Sequence, residues 1–463
     1  MWCGLLVWGV KMELHDYQKF CVRQVFNKKK IALWLDMGLG KTAIALHAIT
    51  ALIKHKQVKR VLVVAPKTVA ETVWKQEAET WNLPLVVSVV SGTETQRMEA
   101  LDALADVYVI GRDNLGWLFT IPTFTADMLI IDESTSVKNR STLRWASLCQ
   151  KSITYRGKKR YRKNRLIDMF NRVLLLSGTP ASDANYQGLW SQMYLLDKGE
   201  RLGKTISEFR LKYMIAQEFN GYPVYTHMRP GAIDIINQKL ADLCISMKSE
   251  DYLQLPERID IVRSFDMCKE YDKMDSDGVL TVDGIDIIAG DTLTRYNKLQ
   301  QLSSSFVYDE QGNTHILNPN GKLEVLKELI EDTDENVLIM YKFQYEKDLL
   351  IKEFNAIPLE DNESISDWQK GKIKIGLLYP ASGGYGLNLA SGGSVIIWYT
   401  MPLSLEQYLQ ANKRLHRQGQ EKPVRIYHLI GNAKKRNSID KMVYNLLRVK
   451  KEILDGLMEF FKV

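Results

Sequence analysis

The amino-acid sequence predicts an α/β protein of two tandem lobes, each a parallel sheet covered by helices, with a helical insertion between them. Two observations carry this. Short apolar runs alternate with amphipathic helical stretches in two separate parts of the chain, the pattern of parallel strands buried on both faces. The chain has 463 residues, and at about 150 residues per domain such a length holds two or three domains.

In the first part the spacing predicts strands at residues 31–35, 60–65, 85–90, 107–110, 128–132 and 173–176, with helices at 43–55, 68–81 and 96–104. In the second it predicts strands at 336–340, 374–378, 395–398 and 424–429, with helices at 345–354 and 405–415. Residues 187 to about 243 read as mainly helical around a Gly221-Tyr222-Pro223 turn, an insertion within a first lobe of residues 1–255. The second lobe takes 256–463 and ends in a closing helix over 438–461. Residues 1–11 are apolar but lack a basic start and a small-residue cleavage site, so they read as an extension ahead of Met12.

Composition narrows the function classes. The hydrophobic fraction of 45% and charged fraction of 25% are those of a globular chain with sizeable cores. A net charge of +7, from 62 basic and 55 acidic residues, points mildly to a polyanionic partner. Cys3, Cys21, Cys149, Cys244 and Cys268 are scattered without a CxxC pair, which fits reduced thiols in an intracellular protein and opposes a zinc site or disulfide framework. No apolar run approaches the roughly 18 residues of a membrane span.

Four stretches carry chemistry. Asp36-Met37-Gly38-Leu39-Gly40-Lys41-Thr42 lies between a buried strand and a helix, the arrangement in which backbone N–H groups hold phosphates, a lysine reaches the outer phosphates and a hydroxyl meets Mg²⁺. Leu35 occupies the place of the usual first glycine, so a plain helix-capping turn is the competing reading. Residues 128–133 form an apolar strand ending in Asp132-Glu133; beside a phosphate loop, Asp132 would hold the Mg²⁺ of ATP and Glu133 would deprotonate the attacking water. Ser177-Gly178-Thr179-Pro180 follows another buried strand and is either a plain turn or a link from the acid pair to nucleic acid. In Gln410–Gln420, Arg414 and Arg417 stand at i and i+3, which on a helix places both on one face, able to reach a γ-phosphate.

In order and in kind, these stretches resemble the motifs of the Swi/Snf-type ATPases, the chromatin-remodelling branch of helicase superfamily two, from about Leu14 onward. The resemblance implies two RecA-like lobes that close on ATP and translocate on duplex DNA, and it adds residues. Tyr17 and Gln18 match the adenine-reading motif, Pro66 and Lys67 motif Ia, Phe343 motif IV, and Ser382, Gly383, Gly386 and Asn388 motif V. It implies that Gly386 contacts nucleotide, and that Pro66, Lys67, Ser177, Thr179, Phe343, Ser382, Gly383 and Asn388 contact DNA, mostly through phosphates. One chain carries both halves of the implied ATP site, so the resemblance implies a working monomer. With no accessory reading module between the motifs, a bacterial, archaeal or viral source acting on bare DNA is expected.

Two features depart from the family. Ser134-Thr135 stands where the family has Ala-His after the acid pair, removing a histidine that couples hydrolysis to DNA. Residues 151–165 (KSITYRGKKRYRKNR) hold eight Lys or Arg, two tyrosines and no acid, where the family has a short link. This run is either a solvated loop or a phosphate-tracking hairpin using Lys158, Arg160 and Arg162. Three functions therefore stand at the level of sequence: a duplex-DNA translocase, a strand-separating DNA or RNA helicase, and a slow ATP-gated clamp, the last supported only by Ser134-Thr135.

Overall fold

In the computed structural model, which describes residues 13–181, 186–219, 222–318, 321–381, 388–434 and 437–463, the apolar runs pair into two parallel sheets. The extension proposed at 1–11 lies outside these residues. The first part of the chain supplies β1 (Lys30–Leu35), β2 (Val61–Ala65), β3 (Val87–Val90), β4 (Val107–Gly111), β5 (Met128–Asp132), β6 (Ser152–Tyr155), β7 (Lys158–Tyr161), β8 (Arg172–Ser177), β9 (Met214–Phe219), β10 (Tyr222–Met228) and β11 (Cys244–Met247). Seven of them form a sheet in the order β11-β1-β8-β5-β2-β4-β3, every pair parallel. β2, β4, β5 and β8 are buried along their whole length, because helices cover both faces and leave no polar side for alternation.

The second part supplies β12 (Arg258–Asp266), β13 (Val279–Val282), β14 (Ile285–Ile288), β15 (Phe306–Tyr308), β16 (Thr314–Ile316), β17 (Val337–Met340), β18 (Ile357–Pro358), β19 (Ile375–Leu378), β20 (Val395–Trp398) and β21 (Val424–Asn432). Six form a second parallel sheet, β12-β21-β20-β17-β19-β18. The described residues divide into two compact units, one of residues 13–181, 186–252 and 456–463, the other of residues 253–455. Both are α/β lobes of the RecA-like kind.

The structure corrects the insertion at 187–243. It contains helices Tyr186–Asp197, Ile206–Tyr213 and Ala232–Leu240, but Met214–Phe219 and Tyr222–Met228 pair as an antiparallel ribbon, not helix. Pro223 stands opposite Glu218 in it. A two-stranded ribbon is all edge, so a proline without an N–H donor is tolerated there. Of the strands in the two large sheets, those that escaped the sequence pattern, β11, β12 and β18, are all outermost in their sheets. β12 (RIDIVRSFD) is half exposed.

The expected closing helix is Ile439–Phe460. The last residues after it pack on the first sheet's edge strand: Ser246 N–H donates to Phe461 O at 2.9 Å, and the Trp34 and Phe461 rings meet edge to face at 4.9 Å. No helix among the described residues is long and apolar enough to cross a membrane.

The second unit is built around a buried charge. The Lys322 ammonium donates to Ser304 Oγ (2.9 Å) and Thr400 Oγ1 (3.2 Å), and both hydroxyls donate on to one oxygen of Glu346 (2.6 Å each). The other Glu346 oxygen accepts the N–H groups of Lys342 and Phe343, capping the helix Gln344–Phe354. Ser303 links the cluster to Asp440 (2.7 Å). Burial pushes the Lys322 pKa down and the Asp440 pKa up, and each charge opposes the other's shift. Removing one member of such a cluster strands the rest, at a cost of about 3–5 kcal/mol. Lys322→Met is therefore expected to lower the denaturant midpoint strongly. Adding Glu346→Gln should cost much less than the two single losses summed, as a double-mutant cycle in urea would measure.

Candidate nucleotide site

Parallel pairing puts the carboxyl ends of β1, β8, β5 and β2 side by side on one rim, and each end carries one of the stretches singled out by sequence. Trp34 pairs with Ser177, and Asp132 with Leu176, so phosphate loop, acid pair and Ser-Gly-Thr-Pro turn leave the sheet at neighbouring positions.

The loop after β1 turns through Gly38 (φ 88°) and Gly40 (φ 72°), left-handed conformations that glycine adopts without strain. The helix Lys41–Lys54 starts at once, so its unpaired N–H groups and Thr42 in its first turn face the loop. A side chain at Gly40 would run into Gln18 Nε2 at 2.4 Å. That amide donates to Leu39 O (3.2 Å) while its oxygen accepts His15 N–H (2.9 Å). Tyr17 lies between the rings of His15 (5.5 Å) and Tyr252 (4.9 Å), and burial raises its pKa to about 12. Leu39 is an apolar anchor, fully buried, whereas Met37 is half-buried. Asp36 accepts hydrogen bonds from the N–H (3.1 Å) and hydroxyl (3.0 Å) of Ser249, which fixes the loop to the residues after β11. Lys41 donates to Leu35 O (3.0 Å).

Asp132 and Glu133 are buried, and burial raises both carboxyl pKa values, with Lys41 the first opposing influence on each. One Asp132 oxygen accepts from Trp74 Nε1 (3.1 Å), which together with a backbone hydrogen bond from Glu133 orients the carboxylate. Glu133 has φ 52°. That left-handed backbone costs a non-glycine residue about 1–2 kcal/mol and is a mark of functional sites. Its Oε2 is buried with no hydrogen-bond partner. A buried acceptor without a donor suits a group that takes a proton from water. Gly178 completes the surround, since a Cβ there would lie 3.3 Å from Leu35 O and 3.6 Å from Lys41 Nζ.

Several sequence assignments change. Ser177 and Thr179 are buried, and Ser177 Oγ accepts Thr179 N–H (3.1 Å), so the Ser177 hydroxyl shapes its own turn and neither residue is exposed as a DNA contact would be. Pro66 is buried and Lys67 exposed, just beyond β2. Phe343 is half-buried against Phe306 (5.5 Å), with Lys342 Nζ 4.9 Å from its ring centre. Asn388 is exposed, and its side chain accepts Ala390 N–H (3.2 Å). Ser382, Gly383 and Gly386 lie outside the described residues.

The helix expected at 405–415 stops at Asn412, so Arg414 and Arg417 sit on the turns after it and not on one helical face. The chain leaves the helix because its next residues are held elsewhere. Trp398 Nε1 donates to Asn412 Oδ1 (3.0 Å), Leu389 N–H to Arg414 O (3.1 Å), His416 Nε2–H to Pro256 O (2.9 Å), and Gln420 to the carbonyls of Ala390 (2.9 Å) and Gly393 (2.8 Å). Gly419 closes the turn at φ 93°. Both arginines are half-buried, and burial holds Arg417 below its ordinary pKa.

Gln192 was invisible to sequence reasoning. Fully buried, it accepts the Ser134 hydroxyl (2.7 Å) and donates to Pro180 O (2.8 Å) and Gly188 O (3.3 Å). It therefore bridges the acid pair's strand end to the Ser-Gly-Thr-Pro turn. The partners lie 58 residues apart, and no spacing rule reaches that far. Ser249 and Tyr252 escaped the site assignment for the same reason.

A phosphate-type loop, an adjoining buried acid pair and an unpaired carboxylate oxygen define a P-loop nucleotide hydrolase. Comparison with known proteins gives the particular family: residues 17–274 match the model of the SNF2-related domain, and the chain belongs to that family. It is thus a nucleic-acid-dependent ATPase of helicase superfamily two. It is 27% identical to protein p41 of Acyrthosiphon pisum secondary endosymbiont phage 1, over 96% of this chain and 98% of that one. It is 24% identical to the chromodomain-helicase-DNA-binding protein 1-like of Danio rerio, over 98% of this chain but 44% of that protein. A solved SWI2/SNF2 ATPase core from Sulfolobus solfataricus, in complex with double-stranded DNA, is similar at a TM-score of 0.46 and 20% identity, covering 97% of this chain and 94% of its own.

Two outcomes follow from this geometry. A carboxylate whose folded pKa is raised binds its proton more tightly when folded, so it removes stability as pH rises above its ordinary value of 4.5. Glu133→Gln should abolish turnover and raise the thermal midpoint at neutral pH, and the wild-type acid limb should lie above pH 4.5. Gln192→Leu strands the Pro180 carbonyl and the Ser134 hydroxyl, a loss of about 1–3 kcal/mol. It should reduce the stimulation of turnover by nucleic acid more than turnover without it, whereas equal reduction would make the bridge merely structural.

Proposed function

We propose that this protein is a motor that hydrolyses ATP to ADP and phosphate while translocating on duplex DNA, remodelling DNA or protein–DNA complexes without separating strands. The observation that carries the reading is the convergence of four sequence-distant motifs on one rim of the first sheet, in a chain of the SNF2-related family. The DNA-binding helicase named among its relatives supports DNA as the track, although this chain spans under half of that protein.

In this reading Gly38, Gly40 and the N-terminus of helix Lys41–Lys54 hold the phosphates, and Lys41 neutralises the outer ones. Gln18 and Tyr17 border the base. Mg²⁺ arrives with the nucleotide and supplies charge neutralisation at the phosphates. The donor set that would hold it is the Thr42 hydroxyl and the Asp132 carboxylate, hard oxygen donors of the kind Mg²⁺ takes. Glu133 Oε2 takes the proton from the attacking water. Arg414 and Arg417 stabilise charge on the transferred phosphoryl group. Lys67 and Asn388, both exposed, serve as backbone contacts that carry no sequence code.

The test is ATP turnover with duplex DNA, single-stranded DNA and RNA, beside triplex-displacement and strand-separation assays. Duplex-stimulated turnover and triplex displacement without unwinding are expected. Strand separation would replace the reading with a helicase, and turnover indifferent to every nucleic acid would replace it with a clamp. Lys41→Ala should abolish hydrolysis. Arg417→Ala should lower turnover by roughly 10³-fold or more while ATP binding persists, and wild-type turnover in that variant would remove the arginine from the mechanism.

A further inference from the structure

The basic stretch 151–165 is an ordered hairpin. β6 and β7 pair antiparallel from Ser152↔Tyr161 to Tyr155↔Lys158. The two residues between them, Arg156 (φ 48°) and Gly157 (φ 72°), are both left-handed, the tight turn whose twist matches paired strands. A mobile, solvated loop would have neither register nor turn.

Beyond Lys151, which precedes β6, its seven cations fall into two groups. Three are spent on anchoring. Arg162 donates to the carbonyls of Phe119 (3.0 Å) and Ile121 (3.1 Å), and burial lowers its pKa. Arg165 grips Asp168 with two hydrogen bonds (2.9 and 2.8 Å) and Tyr194 Oη with a third (2.7 Å). Arg156 pairs with Glu94 at 3.5 Å. Arg162 therefore leaves the set of DNA contacts expected from sequence. Lys158, Lys159, Arg160 and Lys163 are exposed, and among the described residues none of them has an ion pair. Lys159 lies 5.6 Å from the ring centre of Tyr161, itself 69% exposed. Beside them runs an open groove of about 690 Å³, lined by Lys159, Arg160, Tyr161 and Lys163 together with Phe119 and Asp168, whose carboxylate is taken by Arg165.

Holding three unpaired cations on one short strand, with Lys163 just beyond it, is unfavourable by self-repulsion, which a bound anion would relieve. No acidic residue occurs between Glu133 and Asp168 to do so from within the segment. Along β7, Lys158 and Arg160 share one face about 6.6 Å apart, close to the separation of successive phosphates on a nucleic-acid strand, while Lys159 and Tyr161 lie on the other face. The ribbon rests on helix Leu115–Phe119, where the Tyr155 ring packs over Gly116. That helix starts shortly beyond the carboxyl end of β4, where Gly111 abuts Lys67. Hairpin and motif Ia lysine thus belong to one continuous piece of the first unit.

We propose that the β6–β7 hairpin is a duplex-DNA clamp, in which Lys158, Lys159, Arg160 and Lys163 hold the phosphate backbone and Tyr161 packs against the sugar edge. The clamp rests on the DNA-motor reading and deepens it. It raises the grip on the track without entering the chemistry of hydrolysis.

The test is the full chain with Lys158, Lys159, Arg160 and Lys163 all changed to Gln. Duplex affinity, followed by fluorescence anisotropy from about 50 to 200 mM salt, should lose about 3.6 from its log–log salt slope, since each of the four phosphate contacts contributes about 0.9. The duplex concentration for half-maximal ATPase stimulation should rise at least tenfold, while turnover without DNA and at saturating DNA stays unchanged. An unaltered slope with unaltered half-saturation would overturn the clamp, and a slope lost only on duplex RNA would overturn its assignment to DNA. The slope needs no turnover, so it judges the hairpin even if wild-type ATPase ignores duplex and the motor reading falls. Lys158→Gln alone, which touches no anchor, should remove about 0.9 from the slope and leave the thermal midpoint unchanged.

Discussion

The parallel register of β1, β8, β5 and β2 is the constraint on which the first unit depends. Strands that all run one way deliver all their carboxyl ends to one rim, and the chain must return through helices that cover both faces. The phosphate loop, the acid pair and the Ser-Gly-Thr-Pro turn are far apart in sequence, yet neighbours because Leu33, Trp34 and Asp132 have fixed partners on β8. The loop needs this neighbourhood. Gly178 lies against Leu35 O and Lys41 Nζ, Gln18 holds Leu39 O, and Ser249 holds Asp36.

The site stores unfavourable electrostatics in a small volume. Two carboxyl groups are buried side by side, one with a left-handed backbone and an oxygen without a donor. Desolvation is the dominant cost, and Lys41 is the main charge opposing it. The rest of the unit sustains this because its core is apolar strands buried throughout. The second unit handles buried charge differently. Lys322, Glu346 and Asp440 are mutually satisfied through Ser303, Ser304 and Thr400, so their cluster organises helices and strand ends and leaves no group waiting for a ligand.

Local hydrogen bonds tie the site's segments together. Thr135 stands in place of a histidine, but Ser134 and Gln192 still join the acid pair's strand to the turn after β8. Gln192 lies on the helix Tyr186–Asp197, which follows that turn, so the link is short in space and moves with the same structural piece. The arginine-bearing turn is held likewise by Asn412, His416 and Gln420, whose hydrogen bonds reach three separate segments.

The sequence by itself determined the two-lobed α/β class, the central strands and the phosphate loop, because uniform burial and glycine-lysine spacing are local signals. It also exposed the acid pair and the basic run. Edge strands such as β12 and the ribbon of Met214–Phe219 and Tyr222–Met228 stayed hidden, since partial exposure erases the apolar run that marks a central strand. Only the tertiary structure decided what the motif residues do. Asn412 ends a helix that periodicity would continue, because Trp398 takes its side chain. Ser177 and Thr179 turn inward, Trp74 orients Asp132, and Gln192 bridges partners 58 residues away. Within the basic hairpin, eight like charges are equivalent in sequence. Contacts with Phe119, Asp168 and Glu94 separate the anchors from the cations left facing outward, because a hydrogen bond depends on where a partner sits in space and not on its distance along the chain.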